Sequence, residues 1–280
     1  MNSINNSPFL RKLFSLIFVH VLFSVSANCF ATTATDSSSL VLPLPHGLRA
    51  TLSFTHNQVI AQLPNNKRIV LANNINQIPA YARDIWIDDF NFDGRQDAAI
   101  TTGFDPVSSD QMYTIFIWDD GLSQFFPLTF REKLTNLEIV PKHKEIRSSY
   151  QSRNFWVEDT YRFQNRQPYL YSRSRLIAND IWHTTIYNPA GQTVRSLVSR
   201  DGRVERPPYP VLLSVTSQTA PLYRQPLPST LLPIKLNRGD VVSVLDFKND
   251  PGHFYWVNIS ANINQHVIRG WTLLSNLIQQ

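Results

Sequence analysis

The run Ile85-Trp86-Ile87-Asp88-Asp89-Phe90-Asn91-Phe92-Asp93-Gly94-Arg95-Gln96-Asp97-Ala98-Ala99-Ile100 decides how this chain is read. Oxygen-bearing side chains recur at every second residue from Asp89 to Asp93, Gly94 follows, and Asp97 adds a further carboxylate. That spacing lets a loop wrap a hard cation. Asp89, Asn91 and Asp93 take the first, third and fifth ligand positions, Gly94 makes the sharp turn, the carbonyl of Arg95 serves at the seventh and Asp97 at the ninth. Carboxylates and an amide oxygen in one turn favour Ca2+, and without a cation the carboxylates would repel one another at short range. The twelfth position is Ile100, not the bidentate Glu that closes a helix-loop-helix calcium site. Ile85-Trp86-Ile87 and Ala98-Ala99-Ile100 read as strands, so the unit is strand-loop-strand.

Outward from the loop, the chain from Leu48 to Ile186 reads as short strands. Arg49–Phe54, Gln58–Leu63 and Arg68–Leu71 carry β-branched and apolar residues with Asn and Pro between them. Ala98–Thr102, Met112–Trp118, Lys144–Tyr150, Trp156–Phe163 and Pro168–Tyr171 follow, with turn signals at Asp119-Asp120-Gly121 and Asn165-Arg166. No segment here has a long, capped 3.6-residue period, so helices are expected to be few and short. Arg147, Arg153, Arg162, Arg166, Arg173 and Arg175 alternate with Tyr150, Trp156, Tyr161, Tyr169 and Tyr171. Arg and Tyr dominate binding hot spots, which makes Arg153, Tyr161, Arg162 and Arg173 candidate partner contacts. The competing reading is that they are ordinary outward-facing strand residues.

Arg206-Pro207-Pro208-Tyr209-Pro210 must be extended, because proline fixes its own φ and restrains the residue before it. Residues 201–210 therefore read as a linker. After it come Ala220-Pro221-Leu222-Tyr223, Leu236-Asn237-Arg238-Gly239-Asp240 running into Val241–Leu245, Phe254–Ile259, and Ile268-Arg269-Gly270-Trp271-Thr272. On these landmarks residues 211–280 resemble a bacterial SH3-like small barrel. Gly239 permits a tight turn that Asp240 can cap, and Trp256 and Trp271 supply core bulk. Either Trp is also a candidate for stacking against a bound peptide or glycan.

The amino terminus predicts the compartment. Arg11 and Lys12 precede the apolar run Leu13–Val25, and small residues follow at Ser26-Ala27 and Ala31, the pattern of a secretory signal peptide. Cleavage fits after Ala27 or Ala31. The second removes Cys29 and leaves no unpaired thiol for an oxidising compartment, so residues 1–31 are taken as the signal; acylation of Cys29 is the lesser alternative. Residues 32–47 read as a flexible lead-in and 48–200 as the β domain carrying the loop. The formal charge of +5 falls to +3 when Arg11 and Lys12 leave. With no Lys/Arg tract, nucleic acid is not an expected partner. The 12% aromatic content with nine Gly in 280 residues argues for a packed β protein.

Catalytic patterns are missing from the sequence. His20, His46, His56, His143, His183, His253 and His266 include no pair at metal-ligand spacing, and there is no Gly-x-Ser-x-Gly elbow. Glu132, Glu138, Glu145 and Glu158 could form a glycosidase pair only if the fold brought two of them to one cleft. The sequence therefore predicts a binding protein rather than an enzyme.

The string from Asp84 to Ile100, the Tyr113–Trp118 strand, Phe125-Phe126, Leu137 and Thr160-Tyr161-Arg162-Phe163-Gln164-Asn165 together resemble secreted bacterial proteins with one calcium loop of the FG-GAP and VCBS type. The resemblance spans roughly Arg49 to Ser199. It implies an all-β, partial propeller-like antiparallel domain and Ca2+ at Asp89, Asn91, Asp93, Arg95 and Asp97. Some members of that group are periplasmic immunity proteins against peptidoglycan-hydrolysing toxins. The expectation is a periplasmic inhibitor with a secreted cell-wall hydrolase as its protein partner and no membrane span after signal cleavage. The alternative is an envelope module that holds peptidoglycan or its peptides through the SH3-like part.

Overall fold

The computed structural model describes residues 32–34, 39–152, 155–202, 210–250 and 254–278. The expected signal peptide, Arg153 and most of the proline-rich linker lie outside them. The described chain is all-β, with helical structure confined to three-residue 3-10 turns. β1 (Thr32–Ala34) is followed by the meander β2 (Ser39–Pro43), β3 (Arg49–Phe54), β4 (Gln58–Gln62) and β5 (Arg68–Asn73), which pair in order as a four-stranded sheet. The next strands are β6 (Ile85–Asp88), β7 (Asp97–Asp105), β8 (Asp110–Asp119), β9 (Gln124–Pro127) and β10 (Leu134–Thr135). They form a second sheet in the order β1-β6-β7-β8-β10, with β9 also paired to β8.

A third sheet contains β11 (Glu138–Val140), β12 (Glu145–Ser152), β13 (Phe155–Gln164), β14 (Gln167–Ala178), β15 (Ile181–Tyr187) and β16 (Thr193–Ser199), paired in sequence order. The fourth comprises β17 (Val211–Ser214), β18 (Thr219–Tyr223), β19 (Leu231–Asn237), β20 (Val241–Asn249), β21 (Tyr255–Ile263) and β22 (His266–Leu273), in the order β17-β20-β21-β22-β18-β19. Every pairing is antiparallel. Among the described residues the pairings close neither a barrel nor a ring of blades. No helix of the described residues is long and apolar enough to cross a membrane.

Side-chain alternation places the second sheet between two others. Ile85, Ile87, Ala98, Ile100 and Phe116 share a core with Leu40, Leu42, Leu52 and Val59 of the first sheet. Their strand neighbours Trp86, Ala99, Ile115 and Ile117 turn the other way, onto Ile146, Tyr161 and Leu170 of the third. A strand buried on both faces must be apolar at consecutive positions, which is why Ile85-Trp86-Ile87 and Ala98-Ala99-Ile100 are unbroken runs. Each fully buried Ile there contributes about 1.5–3 kcal/mol relative to exposure. Ser39–Pro43, which sequence reading left in a flexible lead-in, is a strand because Leu40 and Leu42 supply one inward face of that core.

The fourth sheet is packed on the third. Ile177, Ile181 and Val198 share one core with Val211, Val242, Phe247 and Val257 across the linker. Trp256 is 2% exposed and meets Tyr223 edge-on at 5.0 Å, so it is core and not a partner-stacking surface; Trp271 is half-buried. Gly239 takes φ +92°, and the Asp240 carboxylate accepts a hydrogen bond from the Asn237 N–H at 2.8 Å, as a capped turn requires.

A polar joint accompanies that core. His183 Nε2 lies 3.1 Å from Asp246 Oδ1, which also accepts bonds from Ser196 Oγ at 3.0 Å and from the Phe247 N–H at 2.9 Å. Burial pushes the Asp246 carboxyl up, but these donors outweigh it and hold the group below its ordinary value. A depressed carboxylate contributes stability above its unfolded value, near pH 4, and loses it as pH falls through the folded value. The melting-temperature deficit of Asp246→Asn relative to the native chain should therefore be full at pH 6 and shrink between about pH 4 and pH 3. A deficit that stays constant over that range would show that charge at Asp246 does not stabilise the joint.

Candidate functional site

The loop between β6 and β7 folds around its own acidic side chains. Asp89 Oδ1 accepts the Asp93 N–H at 3.0 Å and Oδ2 accepts the Gly94 N–H at 2.8 Å. Asn91 Oδ1 also accepts the Asp93 N–H, and Asp93 Oδ1 accepts the Arg95 N–H, both at 3.0 Å. Asp97 Oδ2 reaches back to the N–H groups of Phe90 and Asn91 at 3.1 and 3.3 Å. Backbone donors thus aim the side chains inward, a local fold that short Asx residues favour. Gly94 at φ +87° makes the reversal without steric cost.

The charge in that loop is poorly compensated. Asp97 is 3% exposed, and its carboxyl is pushed up to about 8, first by burial and then by Asp93 and Asp89, against the opposing pull of the Asn91 and Phe90 N–H groups. The loop's own cation turns away: Arg95 Nη1 pairs with Asp120 Oδ2 at 2.9 Å. Among the described residues no three Asp, Glu, His or Cys side chains converge as a ready cage. Each engaged carboxylate oxygen keeps lone-pair capacity for a second partner. The donor set of Asp89, Asn91, Asp93, Asp97 and the Arg95 carbonyl is all hard oxygen, which suits Ca2+ and not a thiophilic metal.

Two clefts border the loop and share Asn91, Asp93 and Arg166 in their walls. One, of about 1200 Å3, is walled by Asp97, Trp118, Asp120, Leu122 and the 165–167 turn. The other, of about 770 Å3, lies between Asn91-Phe92-Asp93 and the basic residues Lys142, Lys144, Arg162 and Arg166, with Tyr169 as a further wall. Four of the non-glycine residues in left-handed backbone line these clefts: Phe92 (φ 59°), Lys144 (φ 54°), Asn165 (φ 51°) and Arg166 (φ 64°). That conformation costs an ordinary L-residue roughly 1–2 kcal/mol, less for Asn. Asn165 and Arg166 are the two central residues of the β13–β14 hairpin, where Asn-Gly would be the cheap choice.

The expected partner contacts fare differently. Tyr161 is 1% exposed and packs edge-on against Phe130 in the core between the second and third sheets, so it is not a surface contact. Trp156, on the opposite face of β13, is the exposed ring at 41%. Arg173 grips the fully buried Asp159 with two bonds of 2.6 and 2.7 Å and also reaches Glu132 at 3.1 Å. Asp159 further accepts the Tyr150 hydroxyl at 3.2 Å. Burial and the Asp159 charge push Tyr150 up to about 12, and the same two causes raise Tyr161. Arg162 donates twice to the buried Glu145 and lies over the Tyr171 ring at 3.5 Å. These arginines neutralise carboxylates of this chain instead of waiting for those of another.

Sequence reading marks Asp120 as a turn residue and Lys144 as a strand start but assigns neither them nor Lys142 to a site, because only strand pairing brings these positions beside the loop. Asn165-Arg166 was visible as a turn; its two-residue length between long strands was the available sign of a strained hairpin. No family model, curated protein or solved structure matches the chain.

Proposed function

We propose that the chain is a calcium-stabilised binding protein of the bacterial envelope whose lead role is inhibition of a peptidoglycan-hydrolysing toxin. One observation carries the calcium part. A buried carboxylate, Asp97, sits with Asp93 and Asp89 while the loop's arginine pairs elsewhere, a charge balance that a divalent cation reverses. The inhibitor role is supported by the resemblance of the loop and its flanking strands to periplasmic immunity proteins, and by clefts bordering the loop where a partner can dock. Binding is favoured over catalysis because Glu145 and Asp159 are both held in arginine ion pairs, which suits neither to general acid work. In this reading the four packed sheets are the partial propeller-like unit plus an SH3-like module.

The test adds the secreted form, residues 32–280, at equimolar ratio to secreted cell-wall hydrolases acting on purified murein. Inhibition of turbidity loss by at least tenfold for one of them is the expected result. A second reading has its own observation: Leu231, Val241 and Val267 leave the fourth sheet with exposed apolar side chains. Retention of the protein on insoluble peptidoglycan, with no hydrolase inhibited, would replace the inhibitor with a peptidoglycan-holding module.

A further inference from the structure

We infer that the 770 Å3 cleft beside the loop is an oxyanion-binding site, formed by Lys142, Lys144 and Arg166 against Tyr169. Three observations carry this. First, Lys142, Lys144 and Arg166 are exposed and make no ion pair among the described residues, whereas Arg162, the other arginine of this cleft, is paired with Glu145. Three unpaired cations around one concavity leave their N–H donors open to an anion.

Second, the acidic side chain in the same cleft is engaged elsewhere. Asp93 accepts the Arg95 N–H and the Asn91 Nδ2–H, and among the described residues it pairs with none of the three cations. Third, Lys144 and Arg166 hold left-handed backbone where glycine would be unstrained. Lys144 closes the 3-10 turn Pro141–His143, and Arg166 ends the two-residue hairpin turn. Two of the cleft's cations therefore occupy positions where glycine would cost less.

The ligand class follows from the donors. Ammonium groups and one guanidinium fork match carboxylate, sulfate or phosphate oxygens, and the half-buried Tyr169 supplies a flat wall beside them. The cleft exceeds a lone oxyanion in volume, so the site suits an oxyanion carried on a larger small molecule or on a glycan end. The inference stands whether or not the loop takes calcium.

The experiment uses inorganic sulfate, a dianion that does not titrate near neutrality, added in chelator at low ionic strength to the 15N-labelled chain of residues 32–280. Saturable amide shifts confined to residues 141–145 and 164–169 are expected, with succinate in a parallel arm separating a carboxylate preference from a tetrahedral one. Lys144→Gly and Arg166→Gly should each weaken binding roughly tenfold. Both should leave the melting temperature unchanged or raise it by about 2–4 °C, since glycine relieves the left-handed strain. Shifts that fail to saturate with either anion, or that persist in the double variant, would overturn the site. So would a fall in melting temperature in both single variants, which would make the side chains structural.

Discussion

Arg173→Ala should destabilise the protein by about 3–5 kcal/mol, the range expected when one partner of a buried ion pair is removed. Asp159 has no exposure, and Arg173 is its counter-ion through two parallel bonds of 2.6 and 2.7 Å. The hydrogen bond to Asp159 holds the Arg173 guanidinium well above its ordinary value, burial opposing. Without it, among the described residues Asp159 keeps only the Tyr150 hydroxyl at 3.2 Å, which cannot balance a full charge. At about 2–4 °C per kcal/mol for a chain of this size, thermal denaturation should shift down by roughly 10 °C. Arg173→Lys should recover part of the loss, since a point charge replaces a planar fork. Arg173→Met with Asp159→Leu should recover more, because an apolar pair removes the stranded charge. An Arg173→Ala variant that melts with the native chain but loses partner affinity would restore the partner-contact role this residue was first expected to have.

What the sequence revealed and what it hid divide along the range of the interactions. The loop was legible because its ligand spacing, its glycine and its flanking apolar runs are all local. Arg49–Phe54 appears as a strand at the residues its β-branched pattern marks. The long-range ion pairs were not legible. Asp159 meets Arg173 fourteen positions away, and Glu145 meets Arg162 seventeen away, only because β12, β13 and β14 adopt one register. That register also decides which aromatic is buried. β13 alternates, so Tyr161 turns inward with Val157 and Asp159 while Trp156 turns out, and a strand with aromatic and charged residues on both faces gives no sequence cue to the choice. β15 and β16 were missed in part for the same reason, their buried Thr184 and Ser199 reading as polar surface. The basic cleft joins turns at 141–144 and 165–166, so neither turn alone carries its signal.

Calcium should raise the stability of the chain by about 2.7 kcal/mol at a free concentration one hundred times the dissociation constant, and by about 4.1 at one thousand times. In thermal melts this is a rise of roughly 5–15 °C between chelator and saturating Ca2+. The rise should be specific, since Mg2+ demands tighter octahedral geometry than a nine-residue oxygen loop readily supplies. Asp93→Ala removes a ligand carboxylate and the acceptor of the Arg95 N–H, so it should lower stability in chelator and abolish the calcium response. Asp97→Asn separates charge from hydrogen bonding. An amide oxygen can still accept the Phe90 and Asn91 N–H groups, yet the buried carboxyl whose ionised form Asp93 and Asp89 oppose, and which folding in chelator must protonate, is gone. That variant should melt higher than the native chain in chelator and lower than it in calcium. The crossing is what a metal site predicts and what a purely hydrogen-bonded turn does not, because a turn that needs no cation would respond to Asp97→Asn equally in both solutions. Identical melting with and without calcium, in the native chain and in Asp93→Ala alike, would remove the metal from this loop.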